Sequence, residues 1–367
     1  MSAPTPRPGI MDIAPYEGGT ASLDGRDKVI KLSSNEGAFG PSPMAVDAYQ
    51  EAGQNLHRYP DGGHRALRHA LAERHGLDGE RIVCGAGSDE LISLLCQAYA
   101  GPGDEVLYSE HGFLMYPISA KAAGATPVFA PEKDLTADVD ALLERVGDTT
   151  RLVFLANPNN PTGTYLPGDE VWRLRRELRE DVILVIDAAY AEYVTDSDYG
   201  PGMDLVDGGG GNVVMTRTFS KIFGLGGIRL GWAYCPGDIA GVLNRTRGPF
   251  NVSAPAMAAG VAALQDVAFT DKVRAHNETW RAWTRDELMA LGLDVTASAG
   301  NFVLARFAEK DGRNSQNADA ADAFLKDRGI IVRRMEAYGL SDCLRITIGL
   351  EDEMKALVGA LKEFTAQ

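Results

Sequence analysis

Short, mostly apolar runs alternate with amphipathic stretches along most of the chain. The apolar runs are Ile82–Cys84, Glu105–Tyr108, Pro127–Phe129, Arg151–Ala156, Val182–Ile186, Asn212–Met215 and Ile228–Tyr234. Several are rich in β-branched residues, and runs with so little polar alternation suit strands covered on both faces. Between several of them apolar positions recur at helical spacing, as Leu67, Ala70 and Leu71 do within Arg65–His75. Ser88 is the expected N-cap of a helix over Asp89–Tyr99, which Gly101-Pro102-Gly103-Asp104 stops. This rhythm predicts an α/β fold with a mostly parallel sheet sandwiched between helices.

After Ser253 the texture changes to one long helical stretch, from Pro255 to about Leu291. A second strand–helix–strand set follows over Asn301–Phe307, Ala318–Lys326, Ile330–Arg333 and Leu344–Gly349, and predicts a smaller α/β domain. Residues 1–30 are rich in Pro, Gly and charge and read as an arm. The strand-like Val29–Leu32 lies outside the main alternation and is expected to join the smaller domain. The expected division is 1–47 for the arm and part of the small domain, 48–255 for the large domain, and 256–367 for the small domain.

With 367 residues, 45% of them hydrophobic, a two-domain globular enzyme is the expected class. The 51 acidic against 36 basic residues leave a formal charge of −15, which disfavours nucleic acid and anionic lipid as partners. A few arginines in a cleft can still bind a small anion. Cys84, Cys96, Cys235 and Cys343 have no C-x-x-C spacing and read as free thiols of a reducing cytosol. No apolar run approaches the ~18–20 residues of a membrane span, and MSAPTPRPGIM lacks a signal-peptide core, so a soluble, cytoplasmic protein is expected. His57, His64, His69, His75, His111 and His276 show no metal-ligand spacing, and no metal is expected.

Three motifs close predicted strands. Asn157-Pro158-Asn159-Asn160-Pro161-Thr162-Gly163 follows Leu152–Ala156 and is either a tight turn or something that needs more than a turn. Asp187 ends Val182–Ile186, with Tyr190 three residues on; a carboxylate there is a helix N-cap or a ligand group at the sheet's binding edge. In Thr218-Phe219-Ser220-Lys221, followed by Gly224, Gly226, Gly227 and Arg229, the lysine is either solvated in a loop or a nucleophile in a desolvated cleft. Gly85-Ala86-Gly87 is no dinucleotide fingerprint, because Glu90 stands where the third glycine belongs.

Together these motifs resemble the fold-type-I aminotransferases over nearly the whole chain. The resemblance implies a large domain built on a seven-stranded, mostly parallel sheet, a smaller α/β domain, and pyridoxal 5'-phosphate as cofactor. It implies that Lys221 forms the Schiff base and moves the substrate proton, and that Asp187 pairs with the pyridinium nitrogen, making the ring an electron sink. Asn160 and Tyr190 match the pair that hydrogen-bonds the ring's phenolic oxygen. Gly87, Ser88 and Asp89 match a phosphate cup at a helix start, joined by Thr218 and Arg229. Phe113 falls where the family stacks an aromatic ring on the cofactor, although a core phenylalanine is the rival reading. Tyr59, in Arg58-Tyr59-Pro60-Asp61, matches a tyrosine that reaches the neighbouring subunit's cofactor phosphate, which implies a homodimer with shared active sites. Arg345 matches the arginine that clamps the substrate carboxylate; its rival reading is a buried ion pair.

Within those enzymes the chain is similar to the histidinol-phosphate aminotransferase family. The likeness rests on Asn35-Glu36 before Gly40-Pro41-Ser42-Pro43, on Arg58–Asp61, Asp187-Ala188-Ala189-Tyr190 and Arg217–Lys221, and on Gly329-Ile330-Ile331-Val332-Arg333. It implies a ping-pong exchange of histidinol phosphate with 2-oxoglutarate, in the histidine pathway. Arg333, taken as inward-facing where Arg334 is solvated, matches an arginine for the substrate phosphate. Tyr16 resembles an arm tyrosine closing over substrate from the other subunit, and Asn35 is expected at the substrate. The family's Asn-Glu-Asn-Pro reads Asn35-Glu36-Gly37-Ala38 here, a departure that keeps aromatic amino acids as alternative donors. Threonine-phosphate decarboxylase, which resembles the same family, is a further alternative.

Overall fold

A computed structural model describes residues 4–366 except 17, 27 and 308–315. After the arm come β1 (Ile30–Lys31), α1 (Pro43–Gly53), α2 (Arg65–His75), β2 (Ile82–Gly85) and α3 (Ser88–Tyr99). β3 (Glu105–Ser109), α4 (Met115–Ala123) and β4 (Thr126–Ala130) precede a small hairpin, β5 (Glu132–Lys133) and β6 (Thr136–Ala137). Then follow α5 (Val139–Arg145), β7 (Thr150–Ala156), α6 (Gly168–Glu177), β8 (Ile183–Asp187), α7 (Met203–Gly208) and β9 (Val213–Thr218). β10 (Gly231–Tyr234), α8 (Gly237–Thr246), α9 (Ala254–Gln265) and α10 (Val267–Ala290) lead into the last part. That part holds β11 (Asp294–Val295), β12 (Phe302–Arg306), α11 (Ala318–Asp327), β13 (Ile330–Ile331), β14 (Arg333–Met335), β15 (Leu340–Thr347) and α12 (Glu351–Thr365).

The main sheet has the order β2-β10-β9-β8-β7-β3-β4, with only β10 antiparallel to its neighbours. This is the seven-stranded, mostly parallel sheet expected. All five residues of β8 are buried, because helices cover both faces. Leu184 and Ile186 pack into one apolar layer and Ile183 and Val185 into the other, the two-residue period of a strand. Cα register sets Ala156 beside Asp187 and Asp187 beside Thr216, so the strand ends that carry the motifs converge on one edge.

The second part is an antiparallel sheet, β11-β12-β15-β14, with its own core around Leu288, Val303, Leu325 and Ile346. The strand expected over Val29–Leu32 is the shorter β1, which pairs in parallel with β13, and Leu32 joins that second core. The long helical stretch is two helices, broken at Asp266, whose carboxylate caps α10 by accepting from the Phe269 amide. Ala256, Ala259 and Ala263 of α9 pack in the large core with Leu67 and Leu71. The change of core therefore falls inside α10, between Val273 and Leu288, rather than at residue 256. The periodicity is helical on both sides, so it carries no mark of that change.

One close crossing fixes the site's floor. Gly231 begins β10 directly under the start of α3, where a side chain would overlap the Ser88 amide and come within 2.6 Å of the Gly87 carbonyl carbon. Gly231→Ala is expected to destabilise the protein by about 1–3 kcal/mol, the usual range for overpacking. An unchanged thermal unfolding midpoint would show that the crossing is looser than it looks.

Candidate active site

A cavity of about 300 Å³ opens at the carboxyl ends of β7, β8 and β9, where ligands of open α/β sheets bind. Every candidate cofactor, catalytic or substrate residue from the sequence lines it, except Gly87, one residue before the lining Ser88, and Tyr59, which is 83% exposed on the surface.

Asp187 lies buried at the end of β8 and caps no helix; the next turn starts only at Ala191. Tyr116 donates to one carboxylate oxygen (2.8 Å) and Thr216 to the other (3.3 Å). Burial pushes its carboxyl up to about 6, against those hydrogen bonds, which hold it down. No Lys, Arg or His of the described residues forms an ion pair with it. A buried carboxylate without a cation suits a ligand that brings a protonated nitrogen.

At the other end the first turn of α3 presents its amides. Gly87, not Ser88 as expected, is the N-cap; its φ of 89° is a conformation that glycine adopts cheaply. No side chain caps the helix, so those amides point at the cavity's anion end. The Arg229 guanidinium lies where a side chain on Gly87 would sit, and it pairs with Asp89 at 2.9 Å. Thr218 donates to Ser220 at 2.9 Å, which in turn lies 3.5 Å from Arg229. Amides, hydroxyls and a guanidinium converging in this way fit a phosphate.

Between the two ends, Lys221 Nζ donates to the Ser34 carbonyl at 3.5 Å and lies 5.7 Å from the centre of the Tyr190 ring. It is part-buried and forms no ion pair with any described residue, which fits a lysine in a cleft better than one solvated in a loop. Arg345 is 7% exposed; it donates to the Asn160 side chain at 2.5 Å and to the Ser33 carbonyl at 3.0 Å. No carboxylate of the described residues pairs with it, and a buried guanidinium with a free Nε is suited to an incoming anion. Burial and the nearby Arg333 both press its proton affinity down. Arg333 stands directly opposite Arg345 across the β14–β15 ladder and lines the cavity, whereas Arg334 pairs with Asp319 and Glu336.

Phe113 is part-buried at the cavity wall, edge-on to Tyr116. Its turn is held by Glu132, which accepts from the His111 amide (3.1 Å) and pairs with the ring Nδ1 (2.8 Å). The Asn157–Gly163 segment does more than turn. Asn157 exchanges hydrogen bonds with Leu166, Asn159 donates to the His111 carbonyl, and Asn160 meets Arg345.

Tyr16 lines the cavity of its own chain; the resemblance implied an arm tyrosine reaching over from the other subunit. The arm is pinned there by Arg7 donating to Ala122 and Lys121 to the Asp12 carbonyl. Asn35, expected at the substrate, is 1% exposed with both ends of its amide bonded inside the chain. At the Gly37 departure a side chain would come 3.1 Å from the Lys221 carbonyl, a tight approach. Sequence reasoning missed Tyr116, Thr216, Ser220 and Thr347. Only Ser220 carried a signal, as a hydroxyl next to Lys221; the others reach the site through packing.

The family profile described as aminotransferase class I and II matches residues 27–361. The histidinol-phosphate aminotransferase of Paramagnetospirillum magneticum is 61% identical over 364 residues, 99% of either chain. That of Rhodospirillum rubrum is 62% identical over 363 residues, 99% of this chain and 97% of its own. The crystal structure of histidinol-phosphate aminotransferase from Sinorhizobium meliloti, in complex with pyridoxal-5'-phosphate, superposes with a TM-score of 0.89. It is 29% identical, and the match covers 100% of this chain and 98% of that one.

The raised Asp187 pKa sets a pH dependence for the ligand-free protein. The folded state holds this proton more tightly than the unfolded chain, so the contribution is present at low pH and lost as pH rises through about 6. Ligand-free Asp187→Asn is therefore expected to be more stable than wild type at pH 8 by on the order of 2–3 kcal/mol. The gap should close towards pH 4. Equal thermal midpoints at pH 8 would refute the cost assigned to this carboxylate.

Proposed function

This chain belongs to the class I and II aminotransferases, and from that premise we propose that it transfers the amino group of L-histidinol phosphate to 2-oxoglutarate, with pyridoxal 5'-phosphate as cofactor. The observation that carries the substrate is the facing pair Arg333 and Arg345. Histidinol phosphate brings a phosphate and no carboxylate, whereas glutamate brings two carboxylates. One cleft serves both if its two guanidiniums take phosphate in one half-reaction and carboxylate in the other. The relatives that match at 61% and 62% identity bear that substrate's name.

The residues present fit the cofactor. The α3 amides, Thr218, Ser220 and Arg229 would hold its phosphate, Phe113 one face of its ring, and Asn160 and Tyr190 its ring oxygen. Asp187 would keep the ring nitrogen protonated, and that cation would offset the carboxylate's desolvation. When bound, pyridoxal phosphate supplies a carbonyl for the donor's amino group and a ring that accepts the electron pair released at the donor's carbon. Lys221 Nζ would carry the proton between that carbon and the cofactor, so that the donor leaves as a keto compound and the nitrogen stays behind. Arg345 and Arg333 orient the donor by its anionic group, and Tyr16 covers the cleft from the same chain.

We also infer a homodimer. Leu56, Tyr59 and Phe250 are 72%, 83% and 45% exposed, Tyr59 stacks on Phe250 at 4.7 Å, and Met44 and Tyr49 of α1 are exposed as well. So many uncovered large apolar side chains suit a second copy of the chain, with Tyr59 reaching that copy's cofactor phosphate. Four buried free thiols fit the cytoplasm.

The test is a half-reaction. Cofactor-loaded protein is mixed with histidinol phosphate, and separately with phenylalanine, and the cofactor's absorbance is followed. Rapid conversion with histidinol phosphate is expected, with none in Lys221→Ala; preference for phenylalanine would move the enzyme to aromatic substrates. Arg333→Ala should slow the phosphorylated donor by on the order of a hundredfold, the scale of a lost charge-assisted contact, and glutamate far less. Equal losses would mean that Arg333 does not favour the phosphate over glutamate's carboxylates. Sedimentation should give a dimer, with Tyr59→Phe weakening cofactor affinity about tenfold; a fully active monomer would refute the shared site.

A further inference from the structure

Asn35 occupies an unusual place. It is not a glycine, yet its φ is 54°, a left-handed conformation that asparagine tolerates better than most residues. It is 1% exposed, and Asn301 holds the backbone on its far side by donating to the carbonyls of Asn35 (3.1 Å) and Glu36 (3.2 Å). The segment is stitched to the small sheet as well: the Thr347 amide donates to Leu32, and Arg345 to Ser33.

The direction of the hydrogen bonds around its side chain follows from counting hydrogens. The Asn35 amide N–H donates to Thr347 Oγ1 at 2.9 Å. The Thr347 hydroxyl hydrogen then goes to Asn35 Oδ1 at 3.1 Å. This order uses each hydrogen once and leaves Asn35 Nδ2 facing the Tyr190 hydroxyl at 2.9 Å. An amide nitrogen only donates, so the Tyr190 oxygen must accept. Its own hydrogen is thereby turned away from Asn35, and Tyr190 lines the cavity.

We propose that Asn35 is a positioning residue: by donating to Tyr190 it commits the Tyr190 hydroxyl to act as a donor into the cavity, towards the ring oxygen of the bound cofactor. This rests on the cofactor reading above. Thr347 orients the Asn35 amide and stands two residues from Arg345 on β15, so the strand that offers the substrate arginine also sets the polarity of a cofactor contact. A donor aimed at the ring oxygen favours the form in which that oxygen is most negative. It therefore eases loss of the proton that titrates with the cofactor's colour and lowers the pH midpoint of that change.

The experiment is a pH titration of the bound cofactor's absorbance in the holoenzyme. Asn35→Gly keeps the left-handed backbone and removes the amide. It is expected to retain the cofactor and to raise the midpoint by roughly one unit, the scale of one hydrogen bond to a charged group. In a Tyr190→Phe background the same substitution should shift the midpoint no further, since its effect runs through that hydroxyl. A merely structural Asn35 would lower cofactor affinity and leave the midpoint in place. An unmoved midpoint, or an equal shift in both backgrounds, overturns the proposal. Thr347→Val, which removes the hydroxyl that orients the amide, is read if Asn35→Gly loses the cofactor. It should raise the midpoint by less than one unit, and an unchanged value there is equally fatal. A wild-type protein that binds no chromophore would sink the cofactor reading itself.

Discussion

The structure depends on keeping opposite charges apart around one cavity. Among the described residues, Asp187 lies buried at the sheet's edge with no cation paired to it, and Arg345 lies buried on the small sheet with no carboxylate paired to it. Left to themselves such groups gain by pairing, and isolating each in a low-dielectric setting costs several kcal/mol. The fold sustains that cost with neutral partners: Tyr116 and Thr216 donate to the carboxylate, while Asn160 and the Ser33 carbonyl accept from the guanidinium. The result is a cavity with one anionic end and two cationic regions, each placed to meet a ligand group of the opposite sign.

The backbone explains how this separation persists. Asp187 ends a strand whose five residues are all buried, so it moves only if the main sheet moves. Arg345 sits on a different sheet, and Ser33, Ser34 and Asn35 form the seam between them, hydrogen-bonded on one side to β15 and on the other to Lys221 (at Ser34) and Tyr190 (at Asn35). A chain segment of a few residues thus ties the substrate arginine, the lysine and the tyrosine into one rigid set. Preorganisation of this sort spares the reaction the reorganisation that water would need.

Much of this was legible in the residues. Apolar runs located the main strands because a sheet covered on both faces excludes polar residues over whole strands, as in β7 and β8. The motifs at Asn157–Gly163, Asp187 and Thr218–Arg229 stood out because each puts costly residue types at a strand end. The switch of cores inside α10 was not legible, since a helix shows which face is apolar and not which core that face meets. The side of the molecule that receives Tyr16 was equally hidden, because it depends on contacts between the arm and α4.

The sequence by itself determined the local chemistry: an α/β rhythm, a lysine among hydroxyls and glycines, a carboxylate closing a buried strand, and an arginine within an apolar one. Those are properties of neighbours along the chain, and the physics of propensity and burial acts on neighbours. Tertiary structure alone decided the partners. Tyr116 meets a carboxylate 71 residues away, and Thr347 meets an asparagine 312 residues away. Single residues at such separations leave no pattern in the chain, since only the folded packing brings the Tyr116 hydroxyl within 2.8 Å of Asp187.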